Sequence, residues 1–270
     1  MSRVDRAAVG AVVRKDLLAA TRSKAVILPM LMVPVLLLVV LPAVVGFGAS
    51  RGAPADISSF LDQIPQELAA PVARLPQREQ LVVLVNGYLL APLFLIVPLM
   101  VSSVLAADAF AGEKERRTLE TLLHLPIASR DLFLAKLLGA FLPAVAVSWA
   151  GFACFAVVAN AVAWPVLHRV YVPTWLWLVV IVWVGPAVAA LGLGVMVRVS
   201  ARARTAQEAN QLGGAVVLPV IFLAVGQSTG LLLVELPVAV AIGALVWLVA
   251  GALCWRGARR FTRDQLATRL

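Results

Sequence analysis

The sequence predicts an all-α, polytopic integral membrane protein with six transmembrane helices, and three observations carry that reading. Of its 270 residues, 62% are hydrophobic, where a soluble domain runs nearer half. Its mean hydropathy is +0.96, and the excess is gathered into long uncharged runs, each near the ~20 residues that cross a bilayer as helix. Third, the charges fall between those runs, and their sign sorts the connecting segments into two sides.

The elements follow in chain order. Residues 1–24 carry Arg3, Arg6, Arg14, Lys15, Arg22 and Lys24 against Asp5 and Asp16. Val9 to Leu18 reads as an amphipathic helix on the inner membrane face. Residues 25–47 form the first span, which Pro29, Pro34 and Pro42 kink. A cleaved signal peptide is the competing reading of residues 1–50, but its basic part would be long and its apolar part exceeds the usual ~7–15 residues. Residues 48–80 are the outer segment, a solvated connector in which Asp56, Asp62, Glu67 and Glu79 balance Arg51, Arg74 and Arg78.

The second span covers 81–107, with Asn86 as its polar interruption. A charged inner segment at 108–132 follows. The third span, 133–164, leads to a short outer turn marked by Trp164, His168, Arg169 and Tyr171. The fourth, 173–197, carries Trp175, Trp177 and Trp183 toward its outer half, where tryptophan anchors helices at headgroup depth. An inner loop at 198–210, a short fifth span at 211–226, a sixth at 233–255 and a basic tail at 256–270 complete the chain. All 270 residues thus read as a single membrane domain.

Charge tests this layout. Of the 23 Lys and Arg residues, only Arg51, Arg74, Arg78 and Arg169 fall outside; the rest lie in the termini, the 198–210 loop and the charged block taken to 108–136, which includes Lys136 at the start of the third span. Lys and Arg accumulate in cytoplasmic segments, so both termini are expected in the cytoplasm of a cell whose plasma membrane the chain crosses several times. The net charge of +9 is therefore explained by topology rather than by a nucleic-acid partner. Cys154 and Cys254 sit in apolar runs and read as small hydrophobes.

The inner stretch 113–125, EKERRTLETLLHL, carries the most information. As a helix it places Leu119, Leu122 and Leu123 on one face. Glu113–Arg117 and Arg116–Glu120 fall at i, i+4, where opposite charges support a solvated helix. Pro126 ends the apolar stretch, and Ser129 is placed to cap the next helix. A charged loop with its leucines resting on lipid is the plainer alternative.

The string AGEKERRTLETLLHLPIASRDLFLAK resembles the motif between spans two and three in permease subunits of type-2 ATP-binding-cassette (ABC) exporters. Glu113, Lys114, Glu115, Arg116, Thr118, Leu119, Glu120, Leu122, Leu123, Pro126, Ser129, Arg130 and Lys136 match it, while Arg117 stands where glycine is common. A weaker likeness covers 201–219, ARARTAQEANQLGGAVVLP. The resemblance implies that Glu113 to Leu123, Arg117 included, form a short cytoplasmic coupling helix that docks on an ABC ATPase subunit. It further implies export of a substrate; six helices rarely enclose a path alone, so pairing with a second permease subunit is expected.

The sequence carries no G-x-x-x-x-G-K-[ST] phosphate loop. A non-catalytic subunit is expected, with no cofactor of its own and with ATP and Mg held by the partner. Gly192 and Gly194 read as a helix-packing pair, and Ser102, Ser103 and Ser148 as packing residues. His124 and His168 fall on opposite sides and cannot share a metal. Asn86, Asn160 and Gln211 are the polar candidates for a substrate path, against the alternative of interhelical hydrogen bonding; lipids would be the remaining partner. A non-transporting assembly or immunity component of the same fold stays open. An ion-coupled carrier would need buried acidic residues and an inverted repeat, and a membrane-embedded enzyme would need convergent catalytic groups; neither pattern is visible.

Overall fold

A computed structural model describes residues 5–51, 66–116, 127–222 and 236–260. Among them every regular element is helical. Helix α1 spans Arg6–Arg22. The apolar rod α2 spans Val26–Ser50, the short α3 Gln66–Ala73, and the rod α4 Glu79–Glu115. Then come α5 (Ser129–Leu167), α6 (Trp175–Ser200), α7 (Ala206–Gly213) and α8 (Leu236–Arg260).

Five of these, α2, α4, α5, α6 and α8, are long and apolar enough to cross a membrane. The fifth span expected at 211–226 lies partly outside the described residues. What is described there differs from expectation. Residues 206–213, split between an inner loop and that span, are one helix, because Thr205 caps them by accepting from the Glu208 amide at 3.1 Å. The Glu208 carboxylate accepts from the Arg204 amide at 2.7 Å, so donors at both sides of the cap are satisfied. A short 3-10 turn, Gly214–Val217, follows.

Three of the rods widen into π-helix: Leu36–Val40 in α2, Val83–Leu89 in α4 and Val180–Val184 in α6. Each precedes a proline, Pro42, Pro92 or Pro186. A proline lacks an N–H and its ring crowds the carbonyl four residues earlier. That carbonyl belongs to Leu38, Tyr88 or Val182, inside the widened turn each time. A wider turn relieves the crowding while the rod continues.

Packing sorts the rods into two kinds. In their most apolar windows α4 is 72% and α6 67% buried, against 22% for α2 and 17% each for α5 and α8. The two buried rods run side by side where Gly192 meets Ser102, Ser103 and Leu99, and Gly194 meets Leu253 of α8. Close backbone approach of this sort is how apolar helices associate where no hydrophobic gradient drives them together.

Toward one end, Phe94, Phe152, Phe155 and Trp177 form an aromatic core, with the Trp177 ring 4.8 Å from Phe155 and 5.4 Å from Phe152. Trp177 is therefore not a headgroup anchor. Two residues along a helix turn about 200°, so exposed Trp175 and buried Trp177 face opposite ways. Cys154, expected inside, is exposed on α5, and Cys254 is half-buried.

Candidate functional site

The polar residues gather at the two ends of the bundle. At the end holding α1, Asp5 caps that helix by accepting from the amides of Ala7 and Ala8 at 3.1 Å. The Asp5 amide donates to Asp131 Oδ2 of α5 at 3.2 Å. Ser129 does not cap α5; the N-cap is Ala128, whose side chain makes no cap hydrogen bond, and Asp131 supplies the acidic charge in the first turn. Val9 and Val12 pack on Leu132 and Ala135, which lays α1 along the start of α5.

Between these helices comes the end of α4. Its last turns are π-helical over Asp108–Gly112, then α-helical over Glu113–Glu115, and a turn begins at Arg116. Lys136, fully buried on α5, donates to the Ala109 carbonyl at 2.7 Å and pairs with Glu113 Oε2. Lys15 of α1 pairs with the other oxygen, Glu113 Oε1, at 2.6 Å and with Asp16 Oδ1 at 3.1 Å. Burial alone would lower the Lys15 pKa. The hydrogen bond and charge of Glu113, helped by Asp16, outweigh it and raise the group above its ordinary 10.5, so Lys15 is a cation at neutral pH.

The neighbouring residues are also spoken for. Arg116 pairs with Asp108 at 3.1 Å. Lys114 donates to the Ala203 carbonyl at 3.4 Å, and Glu115 accepts from the Ala206 amide at 3.0 Å. The i, i+4 spacing predicts Glu113–Arg117 and Arg116–Glu120 pairs on a solvated face. The structure instead buries Glu113 and turns Arg116 back onto Asp108. Arg117, Thr118, Leu119, Glu120, Leu122 and Leu123 lie outside the described residues, as do His124 and Pro126.

A cavity of about 200 Å³ opens beside this cluster, lined by Lys15, Asp16, Ser23, Asp108, Arg116 and Gly139 among others. Sequence reasoning singled out none of Lys15, Asp16 and Asp108. The available signal was two carboxylates and a lysine at the margins of apolar runs, where water-facing residues need no partner and membrane-facing ones do.

At the opposite end Asn160 acts as a clasp. Its amide nitrogen donates to the carbonyls of Ala156 and Val172, both at 2.7 Å. Its oxygen accepts from the amides of Tyr171 and Val172 at 3.0 and 3.3 Å. His168, in left-handed conformation at φ 49°, ends α5 just before this turn. The Tyr171 hydroxyl is pushed up to about 12 by burial, which the nearby Asn86 amide partly offsets. Asn86 itself is fully buried in the π-helical part of α4, and its amide makes no hydrogen bond of good geometry. Gln211 is exposed on α7. Asn160 and Asn86 thus both adjoin Tyr171, while Gln211 lies on a different helix.

No group of three His, Cys, Asp or Glu side chains is placed to hold a metal among the described residues. The charged end is a helix terminus bound by ion pairs and hydrogen bonds to α1, to α5 and to the stretch from Ala203 to Ala206. A family model for the ABC-2 family transporter protein matches residues 10–238. The chain belongs to the ABC-2 transporter family. No curated protein matches it. As a member of that family it is a multi-pass membrane protein and the permease component of an ABC transporter, and membership implies association with an ABC ATPase.

Proposed function

We propose that this ABC-2 permease exports its substrate from the cytoplasm with energy from a separate ATPase subunit that binds ATP and Mg, and that two permease subunits pair to enclose the path. The charged end, with both termini, faces the cytoplasm of a cell bounded by the plasma membrane. The observation that carries this reading is the bonded terminus of α4. Glu113, Lys114 and Glu115 reach α1, α5, the segment before α7 and the first residue of α7, so a push applied just beyond Arg116 spreads through the bundle. The low burial of α2, α5 and α8 leaves apolar surface for lipid and for a second permease. The permease chain contributes no catalytic group; hydrolysis belongs to the partner.

The motif residues after Arg116 are the docking face in this proposal, and Leu119, Leu122 and Leu123 are its apolar edge. The test is affinity purification of the chain from its native membranes. An ABC ATPase should co-purify, and replacing Leu119 and Leu122 with Asp should reduce its recovery more than tenfold. Equal recovery would refute the docking assignment. ATP-dependent loss of a cytoplasmic-side solute from vesicles separates export from a non-transporting assembly.

A further inference from the structure

The motif residues at the end of α4 read from sequence as surface contacts for a partner, yet Glu113 is 4% exposed and Lys136 is fully buried. A carboxylate in such a place is costly unless both oxygens are matched. Here each oxygen has its own lysine: Lys136 from α5 on Oε2, Lys15 from α1 on Oε1. Lys136 also satisfies the Ala109 carbonyl inside the π-helical turn, so one ammonium joins α5 to two points of α4. The outer flank of the same turn is held by the Arg116–Asp108 pair.

We infer that Glu113 is a positioning residue, the latch through which the end of α4 carries α1 and the start of α5 with it as one body. The inference rests on the proposed ATPase coupling and assigns the first four charged residues of the motif a role different from docking. They distribute displacement inside the permease. Lys15 supplies the removable half of the latch, since its side chain is 48% exposed, and Lys136 the fixed half. The N-terminal helix is then a working part of the transmission and more than a membrane anchor.

Two measurements test this. In the first, the permease alone in lipid nanodiscs, with Cys154 and Cys254 replaced by Ala, carries spin labels at Arg14→Cys on α1 and Leu142→Cys on α5, both exposed positions. Glu113→Gln keeps the shape and removes the charge; it should at least double the width of the label-to-label distance distribution, and an unchanged width overturns the latch. In the second, the permease–ATPase complex carries labels at Arg14→Cys and Arg202→Cys, with and without ATP and Mg. The nucleotide-dependent shift should fall at least twofold in Glu113→Gln while ATP hydrolysis and subunit recovery stay within twofold of the unmodified complex. A shift of full size in Glu113→Gln overturns the positioning role. Absence of any shift in the unmodified complex overturns the coupling reading itself, and the ATPase-free measurement tells that outcome from failure of the latch.

Discussion

At one end of this bundle α1, α4 and α5 are joined by charge, through Lys15, Asp16, Glu113 and Lys136; at the other, the turn between α5 and α6 is joined by the neutral amide of Asn160. Both fasten backbone that would otherwise leave polar groups unsatisfied. They differ in what breaking them would do. An amide clasp holds one turn to its own helix. The ionic cluster joins three helices, and removing one partner strands a buried charge. The lesson is that the cluster makes the helices interdependent, which the clasp does not.

The largest effect is predicted for Lys136→Met. It leaves Glu113 buried with one cation fewer and the Ala109 carbonyl open, and should cost about 3–5 kcal/mol, read as thermal unfolding in nanodiscs. Adding Glu113→Leu should recover at least half of the loss. No recovery would mean that packing, not charge, holds this end.

Asn160→Ala comes next, at about 2 kcal/mol, and its effect should be local. Proteolysis within 168–174 should rise while cleavage at α1 stays unchanged. Equal loosening of α1 would erase the distinction between the two ends. Between them, Gly192→Ala sets a methyl 2.7 Å from Ser102 Oγ and 3.0 Å from Leu99 Cδ1. It should cost about 1 kcal/mol, the lower part of the range for overpacking, because a serine hydroxyl can turn aside; the same unfolding assay reads it.

The smallest effect belongs to Lys15→Met, below about 1 kcal/mol because that pair is half open to water. Its pH signature is sharper. A lysine whose pKa is raised on folding contributes stability that is whole below its unfolded value and lost as pH climbs through the folded one. Protease release of α1 should therefore stay flat from neutral pH to 10.5 and increase only above it. The dependence should weaken in Lys15→Met.

Much of the fold was legible because bilayer crossing demands length and apolarity, which a linear reading counts directly. The runs read as spans at 81–107 and 133–164 sit within rods that extend further, to Glu79–Glu115 and Ser129–Leu167, since helices continue past the apolar zone. Rotation about the axis was not legible: Trp175 and Trp177 are the same residue type at the same depth, and only neighbours decide which is buried. Partner choice at Glu113 was equally hidden. Local spacing offers Arg117 at i+4, whereas the residues that bind it are 23 and 98 positions away.

The four groups of the latch sum to zero, two ammonium ions against two carboxylates, and the adjoining Arg116–Asp108 pair is likewise balanced. A transmembrane potential does work on a moving charge of about 2.3 kcal/mol per 100 mV, but on a neutral set displaced together it does almost none. These six side chains therefore add almost nothing to any voltage dependence of the movement, and what charge the moving helices do carry lies in the arginines of α1, Arg6, Arg14 and Arg22.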